Sequence, residues 1–252
     1  VRLRRPQGWS AGTLRVAGME TALTDVLVRF ERADGSARTG RLTAAAPSFA
    51  FDPAPGGLDV AAAYFRLGVE HILLGIDHLL FVLALMILTR GAWRLVKTIT
   101  AFTVAHSLTL ALATLGVVRV PQAPVEATIA LSILFVAAEI VRAREGAAGL
   151  TGRAPWIVAF VFGLLHGFGF AGALSQVGLP PRAIPLALLF FNLGVEAGQL
   201  LLIGAVLGLG AALRPMARRA PAWTRPSWAA RVPAYAIGGI AAFWVIARVA
   251  AL

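Results

Sequence analysis

All four histidines of the chain, His71, His78, His106 and His166, fall inside long apolar runs. A charged side chain in the middle of a bilayer costs about 3 kcal/mol or more, so such residues normally face a bundle interior, a partner or a water-filled path. His71 and His78 are seven residues apart, which on a continuous helix puts them on one face two turns apart, with Asp77 on a neighbouring face. His106 sits with Thr103 and Ser107 at helical spacing, and His166 stands between Gly163 and Gly167. Asn192, Glu196 and Gln199 follow at i, i+4 and i+7, a polar stripe with a carboxylate at its centre. Imidazoles and carboxylates at one depth suit a borderline divalent cation. With no cysteine in the chain, a thiolate site and a disulfide are both excluded.

Each of these residues also has a plainer reading. An Asp–His pair can tie two helices together, an Asn can be interhelical glue, and Gly163 and Gly167 form a small-xxx-small face for close helix packing. Glu126, just after Pro124, suits the first turn of a helix whether or not it meets a cation. Glu139 lies three residues before Arg142 and can be a local ion pair.

The elements that must position these groups are transmembrane helices. The chain of 252 residues is 58% hydrophobic and 14% charged, with mean hydropathy +0.78, far from a soluble domain at roughly 25% charged. The net charge of +11 does not indicate nucleic-acid binding. There is no aromatic-basic interleaving and no basic helix face. Apolar runs near the 20 residues a span needs occur at about 62–88, 95–115, 125–142, 155–174, 183–209 and 232–251. The loops at 89–94, 143–154 and 210–231, with their flanks, carry eleven Lys and Arg against Arg119 and Arg182 in the alternate loops. By the positive-inside bias the basic loops are cytoplasmic and both termini lie outside. The expected fold is thus an all-α polytopic inner-membrane protein of about six spans (59–252), multi-pass in a bacterial-type plasma membrane.

Residues 1–58 differ, being polar with eight arginines. Thr24–Glu31 alternates as a strand with Val26, Val28 and Phe30 on one face, Asp34-Gly35 signals a hairpin turn, and Gly40–Ala44 is the expected return strand. Two strands are not a stable domain. The segment is expected to be the end of an extracytoplasmic β domain, followed by a linker at Pro53–Gly57. Exporting it calls for a signal sequence, which points to further residues ahead of Val1.

Five ordered stretches, GVEHILLGIDHLLFVLAL from Gly68, TAFTVAHSLTLALATLG from Thr100, VEATIALSILFVAAE from Val125, FGLLHGFGFAGAL from Phe162 and FNLGVEAGQL from Phe191, together resemble the HupE/UreJ family of hydrogenase and urease accessory membrane proteins. The resemblance is closest to the branch with an extracytoplasmic N-terminal domain. It implies a nickel permease or metal-uptake accessory serving nickel enzymes, with maturation proteins of those enzymes as potential partners. By resemblance His71, Asp77 and His78, in an intact HxxxGxDH pattern, form the metal-handling group of the first span.

Three functions compete for these residues. In a permease for a divalent cation, nickel first, His71, Asp77, His78, His106 and His166 would bind the metal, with Glu196 compensating charge. Ser107, Glu126, Asn192 and Gln199 would then line the path. In an intramembrane hydrolase, three ligands would hold zinc with an open position for water, and Glu196 or Asp77 would act as general base. In a non-transporting membrane partner, whose exported domain presents or receives a metal or protein, the histidines would be structural or proton-conducting. No G-x-x-x-x-G-K-[ST] motif occurs, so ATP hydrolysis by the chain itself is not expected.

Overall fold

The computed structural model describes residues 12–19, 25–31, 37–51, 56–147, 149–176, 183–219, 229 and 231–252. The chain divides into two compact units, residues 1–61 with 178–187, and residues 62–177 with 188–252.

The first unit contains two antiparallel strand pairs. Strand β2 (Val26–Glu31) pairs with β3 (Ala37–Leu42), Val26 opposite Leu42 and Val28 opposite Gly40. Val26, Val28 and Phe30 are the less exposed residues of β2 and Leu27, Arg29 and Glu31 the more exposed, as the period-two alternation predicts. The return strand starts three residues earlier than expected and ends at Leu42; the turn at Asp34-Gly35 lies outside the described residues. A second pair, β1 (Gly12–Arg15) with β4 (Ser48–Phe51), was not expected. It packs on the first through the Phe49 ring, which lies against Gly40 where a Cβ would collide with it.

The remaining elements are helices: α1 (Gly57–Leu74), α2 (Ile76–Leu88), α3 (Ala92–Thr114), α4 (Gln122–Arg144), α5 (Leu150–Arg153), α6 (Pro155–Gln176), α7 (Ile184–Arg219) and α8 (Val232–Val249). All of them belong to the second unit except residues 57–61 of α1 and 184–187 of α7. Helices α3, α4, α7 over Ile184–Pro215, and α8 are each long and apolar enough to cross a membrane; α1 with α2 qualifies as a bent pair, and α6 is apolar over Pro155–Phe170. With four to six candidate spans the chain is a multi-pass helical membrane protein. A shared core is drawn from α2, α3, α4, α6 and α8, around Phe81, Leu85, Phe102, Ile133, Ala159 and Ile237.

Lipid gives no hydrophobic drive for one helix to seek another, so close approach depends on small residues. A Cβ on Gly163 would stand 2.5 Å from the Phe102 carbonyl oxygen, and one on Gly167 2.4 Å from that of His106, so α6 and α3 touch backbone to backbone. Gly68 and Gly194 do the same between α1 and α7, against the carbonyls of Phe191 and Phe65.

Two expectations need correction. The first span is not one straight helix: it breaks at Gly75 and bends by 71°. Gly75 is extended (φ −77°, ψ 98°), and glycine carries the weakest helix preference after proline. Asp77 then starts α2 with its carboxylate in the first turn, accepting the His78 backbone N–H at 2.9 Å, a favourable place for negative charge. The second correction concerns 210–231: α7 continues ten residues past the expected end at 209, through Arg219. Ala211, Ala212, Leu213 and Arg214 are good helix formers, and the helix runs on through Pro215, against the preference of that residue.

Candidate metal centre

The break at Gly75 sets the first distance in the site. On a straight helix, residues seven apart are about 10 Å apart along the axis. With the bend, the rings of His71 and His78 meet edge to face at 4.6 Å between centroids. Gly75 has little room for a side chain there. A Cβ would stand 2.7 Å from the His71 carbonyl oxygen and 3.0 Å from His78 Nδ1.

Helices α3 and α6 bring the other two imidazoles. His106 lies 6.1 Å from His71 and 6.3 Å from His78, and His166 lies 5.1 Å from His78 between ring centroids. His71, His78 and His106 each offer a ligand atom, and these atoms lie within 4.8 Å of one another. A point equidistant from three atoms 4.8 Å apart is about 2.8 Å from each, against about 2.0–2.1 Å for a metal–imidazole bond. Ring shifts below roughly 1 Å would therefore close the triad on an ion.

Hydrogen bonds fix which nitrogen each ring presents. His78 Nδ1 lies 3.0 Å from Asp77 Oδ1; an ionised carboxylate only accepts, so the proton is on Nδ1 and the lone pair on Nε2. Asn192 donates its amide N–H to the Leu188 carbonyl at 2.7 Å, which turns its oxygen towards His106 Nδ1 at 3.3 Å. His106 thus also keeps its proton on Nδ1. On α4, the Ser132 hydroxyl donates to the Ile129 carbonyl at 2.7 Å and receives His166 Nε2–H at 3.2 Å, leaving the His166 lone pair on Nδ1. The free nitrogens are His78 Nε2, His106 Nε2 and His166 Nδ1. With His71 Nε2 they are buried and have no hydrogen-bond partner among the described residues. Buried polar atoms are usually satisfied; the lone nitrogens of His71, His78 and His106 lie together as a cation would need, and that of His166 is on the ring beside His78. Ligand histidines held through their other nitrogen are the usual arrangement around metals.

The walls are aromatic. Phe170 lies 4.2 Å from the His71 ring, Phe102 5.2 Å and Phe81 5.3 Å from His166, and Phe191 stacks on His106 at 6.4 Å. These phenylalanines exclude water and strengthen charge–ligand attraction within.

The polar stripe of α7 faces α3. Below the His106–Asn192 bond, Thr103 donates to Gln199 Oε1 at 3.1 Å and Thr100 to Glu196 Oε1 at 2.6 Å. Glu196 is therefore not among the imidazoles; it sits one turn beyond Asn192 on a threonine. Gln199 is fully buried with its amide nitrogen unpartnered. Ser107 and Glu126 are not brought to the cluster. Ser107 turns back on its own helix, donating to the Thr103 carbonyl at 2.6 Å. Glu126 is clasped by Arg248, which lies 3.8 Å from its carboxylate and donates to its carbonyl at 2.7 Å.

Residues 51–248 match the family described as HupE / UreJ protein. The chain belongs to the HupE/UreJ family. The matched stretch includes every histidine and the whole α7 stripe, and excludes nearly all of the strand pairs. No curated protein and no solved structure matches the chain.

Sequence reasoning missed Ser132, Thr100 and the phenylalanine wall. Ser132 gave no signal beyond being a hydroxyl in an apolar helix. The phenylalanines were findable, because Phe81, Phe102 and Phe170 stand three or four residues from His78, His106 and His166 and so share their helix faces.

Proposed function

We propose that this HupE/UreJ-family chain is a permease for a divalent transition metal, nickel above all, serving the maturation of metalloenzymes. The observation that carries this reading is the set of four buried, unpartnered ring nitrogens, three of them with tautomers held by Asp77, Asn192 and Ser132. Neutral imidazoles with aimed lone pairs replace the hydration shell of a borderline cation at low cost. The ion would enter on the side of the termini, outside by the bias of basic loops, and lose water at His71, His78 and His106. His166 is adjacent and available as a fourth ligand. Asp77 supplies a negative charge beside the site, and Glu196, about one turn past Asn192, offers a second to the ion as it moves on. From there Asn192, Glu196 and Gln199 offer oxygens over about 10 Å of α7, and the hydroxyls of Thr100 and Thr103 line the facing helix.

Conduction needs binding that is favourable yet reversible. Three neutral nitrogens with one carboxylate held in hydrogen bonding meet this better than a cage of directly bound carboxylates. A hydrolytic zinc centre asks instead for a carboxylate free beside an open metal position. Asp77 is engaged by His78 and Glu196 by Thr100, which weighs against that reading.

The test is uptake into proteoliposomes that enclose a metal-sensitive dye. Nickel influx by the wild-type chain, lost in His78→Ala and His106→Ala while both variants remain folded, supports the permease. Absence of influx for every divalent ion, with stoichiometric metal retained, would overturn it.

A further inference from the structure

A second constellation lies at the opposite end of the helices from the loop that carries Arg119. Arg90 follows α2, Arg94 is in the first turn of α3, Arg144 ends α4 and Arg153 ends α5. These four points of the chain converge on one cavity of about 650 Å³. Arg94 is tied down, donating to the Arg153 carbonyl at 3.1 Å. The guanidiniums of Arg90, Arg144 and Arg153 have no hydrogen-bond or carboxylate partner among the described residues. The one carboxylate in the lining, Glu139, is buried and already committed: it accepts the Thr151 backbone N–H at 3.1 Å and lies 4.0 Å from Arg142. A Cβ at Gly149 would collide with it, so this corner is built closely around the bound carboxylate.

The cavity is amphipathic. Ile87, Leu88 and Ile140 form its apolar side, at the ends of spans, and the guanidiniums form the other. We propose that this cavity binds the phosphate of an anionic glycerophospholipid, with the arginines on the phosphodiester and the acyl chains against the isoleucine and leucine side. Arginine forks match phosphate oxygens in geometry as well as charge. Basic pockets between spans near the membrane surface are suited to such headgroups. A free phosphate would use the same guanidiniums but not the apolar side. The lipid would tie the α2–α3 connection to the ends of α4 and α5, and so brace the elements that carry His78 and His106. The proposal is independent of what the histidines bind.

Native mass spectrometry of the full chain in detergent, with added phosphatidylglycerol or phosphatidylcholine, reads the result directly. Phosphatidylglycerol is expected to be retained in preference to phosphatidylcholine. Arg90→Gln should weaken it about fivefold and Arg90→Gln with Arg144→Gln about 25-fold, from the usual contribution of each basic residue at a membrane surface. Arg119→Gln should change nothing. All three sites are exposed, and circular dichroism checks that each variant is helical; Arg153→Gln replaces the double variant if that one fails to fold. Equal retention of the two lipids, or undiminished retention by the arginine variants, overturns the proposal. So does full displacement of phosphatidylglycerol by millimolar inorganic phosphate, which would assign the cavity to a soluble anion.

Discussion

Replacing Asp77 by asparagine removes a negative charge while leaving an amide oxygen where the carboxylate oxygen stood. That oxygen can still accept the His78 backbone N–H, now made at 2.9 Å, so the start of α2 keeps its geometry. Two things are lost: the full charge facing His78 Nδ1–H at 3.0 Å, and the charge beside any cation at the imidazoles. Loss of a hydrogen-bonding partner behind a metal ligand costs about 10- to 100-fold in affinity, or about 1.4–2.7 kcal/mol. The cost to folding is smaller, about 0.3–1 kcal/mol for a carboxylate in a first helical turn. Titration calorimetry with nickel on the detergent-purified chain should therefore show affinity falling by at least tenfold, while Tm moves by only a few degrees. Unchanged nickel affinity in a folded Asp77→Asn chain would refute the assignment of Asp77 as the group that orients His78 towards metal. A collapse of Tm with binding intact in the surviving fraction would make Asp77 a helix-start residue and nothing more.

Ser132→Ala frees His166 Nε2 and is expected to lower nickel affinity about tenfold if His166 joins the triad, measured by the same titration; no change would leave the triad three-coordinate. Glu196→Gln should retain binding at the imidazoles but slow nickel influx into proteoliposomes, since its carboxylate lies on Thr100 rather than at the cluster. Gly68→Val drives a side chain into the Phe191 carbonyl, and overpacking of this kind costs about 1–3 kcal/mol; a lowered Tm by differential scanning fluorimetry checks it.

The spans were legible because a bilayer imposes a length, and six apolar runs near that length are separated by polar connections, every second one of them basic. Their number is set by hydropathy alone. The bend in the first span was not legible that way, since the run stays apolar on average across Gly75 despite Glu70, His71, Asp77 and His78. The residues that announce it are Gly75 as a helix stop and Asp77 as a start two residues later. Strands β1 and β4 escaped notice because each has four residues and its partner is more than thirty positions away; short non-local pairings leave little trace in local pattern. In the site, helical periodicity gave each histidine a face but not the helix it meets. Packing information of that kind lay in the glycines. Gly163 and Gly167 were readable as a contact face, and Gly68 and Gly194, which press α1 onto α7, follow the same logic. Glu126 was expected to line the path, yet its partner Arg248 is 122 residues away and no local pattern links them.

Metal content of the purified chain tests the central claim most directly. The full protein, brought to equilibrium by dialysis against a saturating known concentration of free nickel, would be analysed by inductively coupled plasma mass spectrometry, with the free ion subtracted, beside His71→Ala, His78→Ala and His106→Ala. The expected result is one nickel per wild-type chain and a loss of binding in each of the three variants. Wild-type protein that binds no divalent ion, or variants that bind as well as it does, would contradict a metal site at these imidazoles.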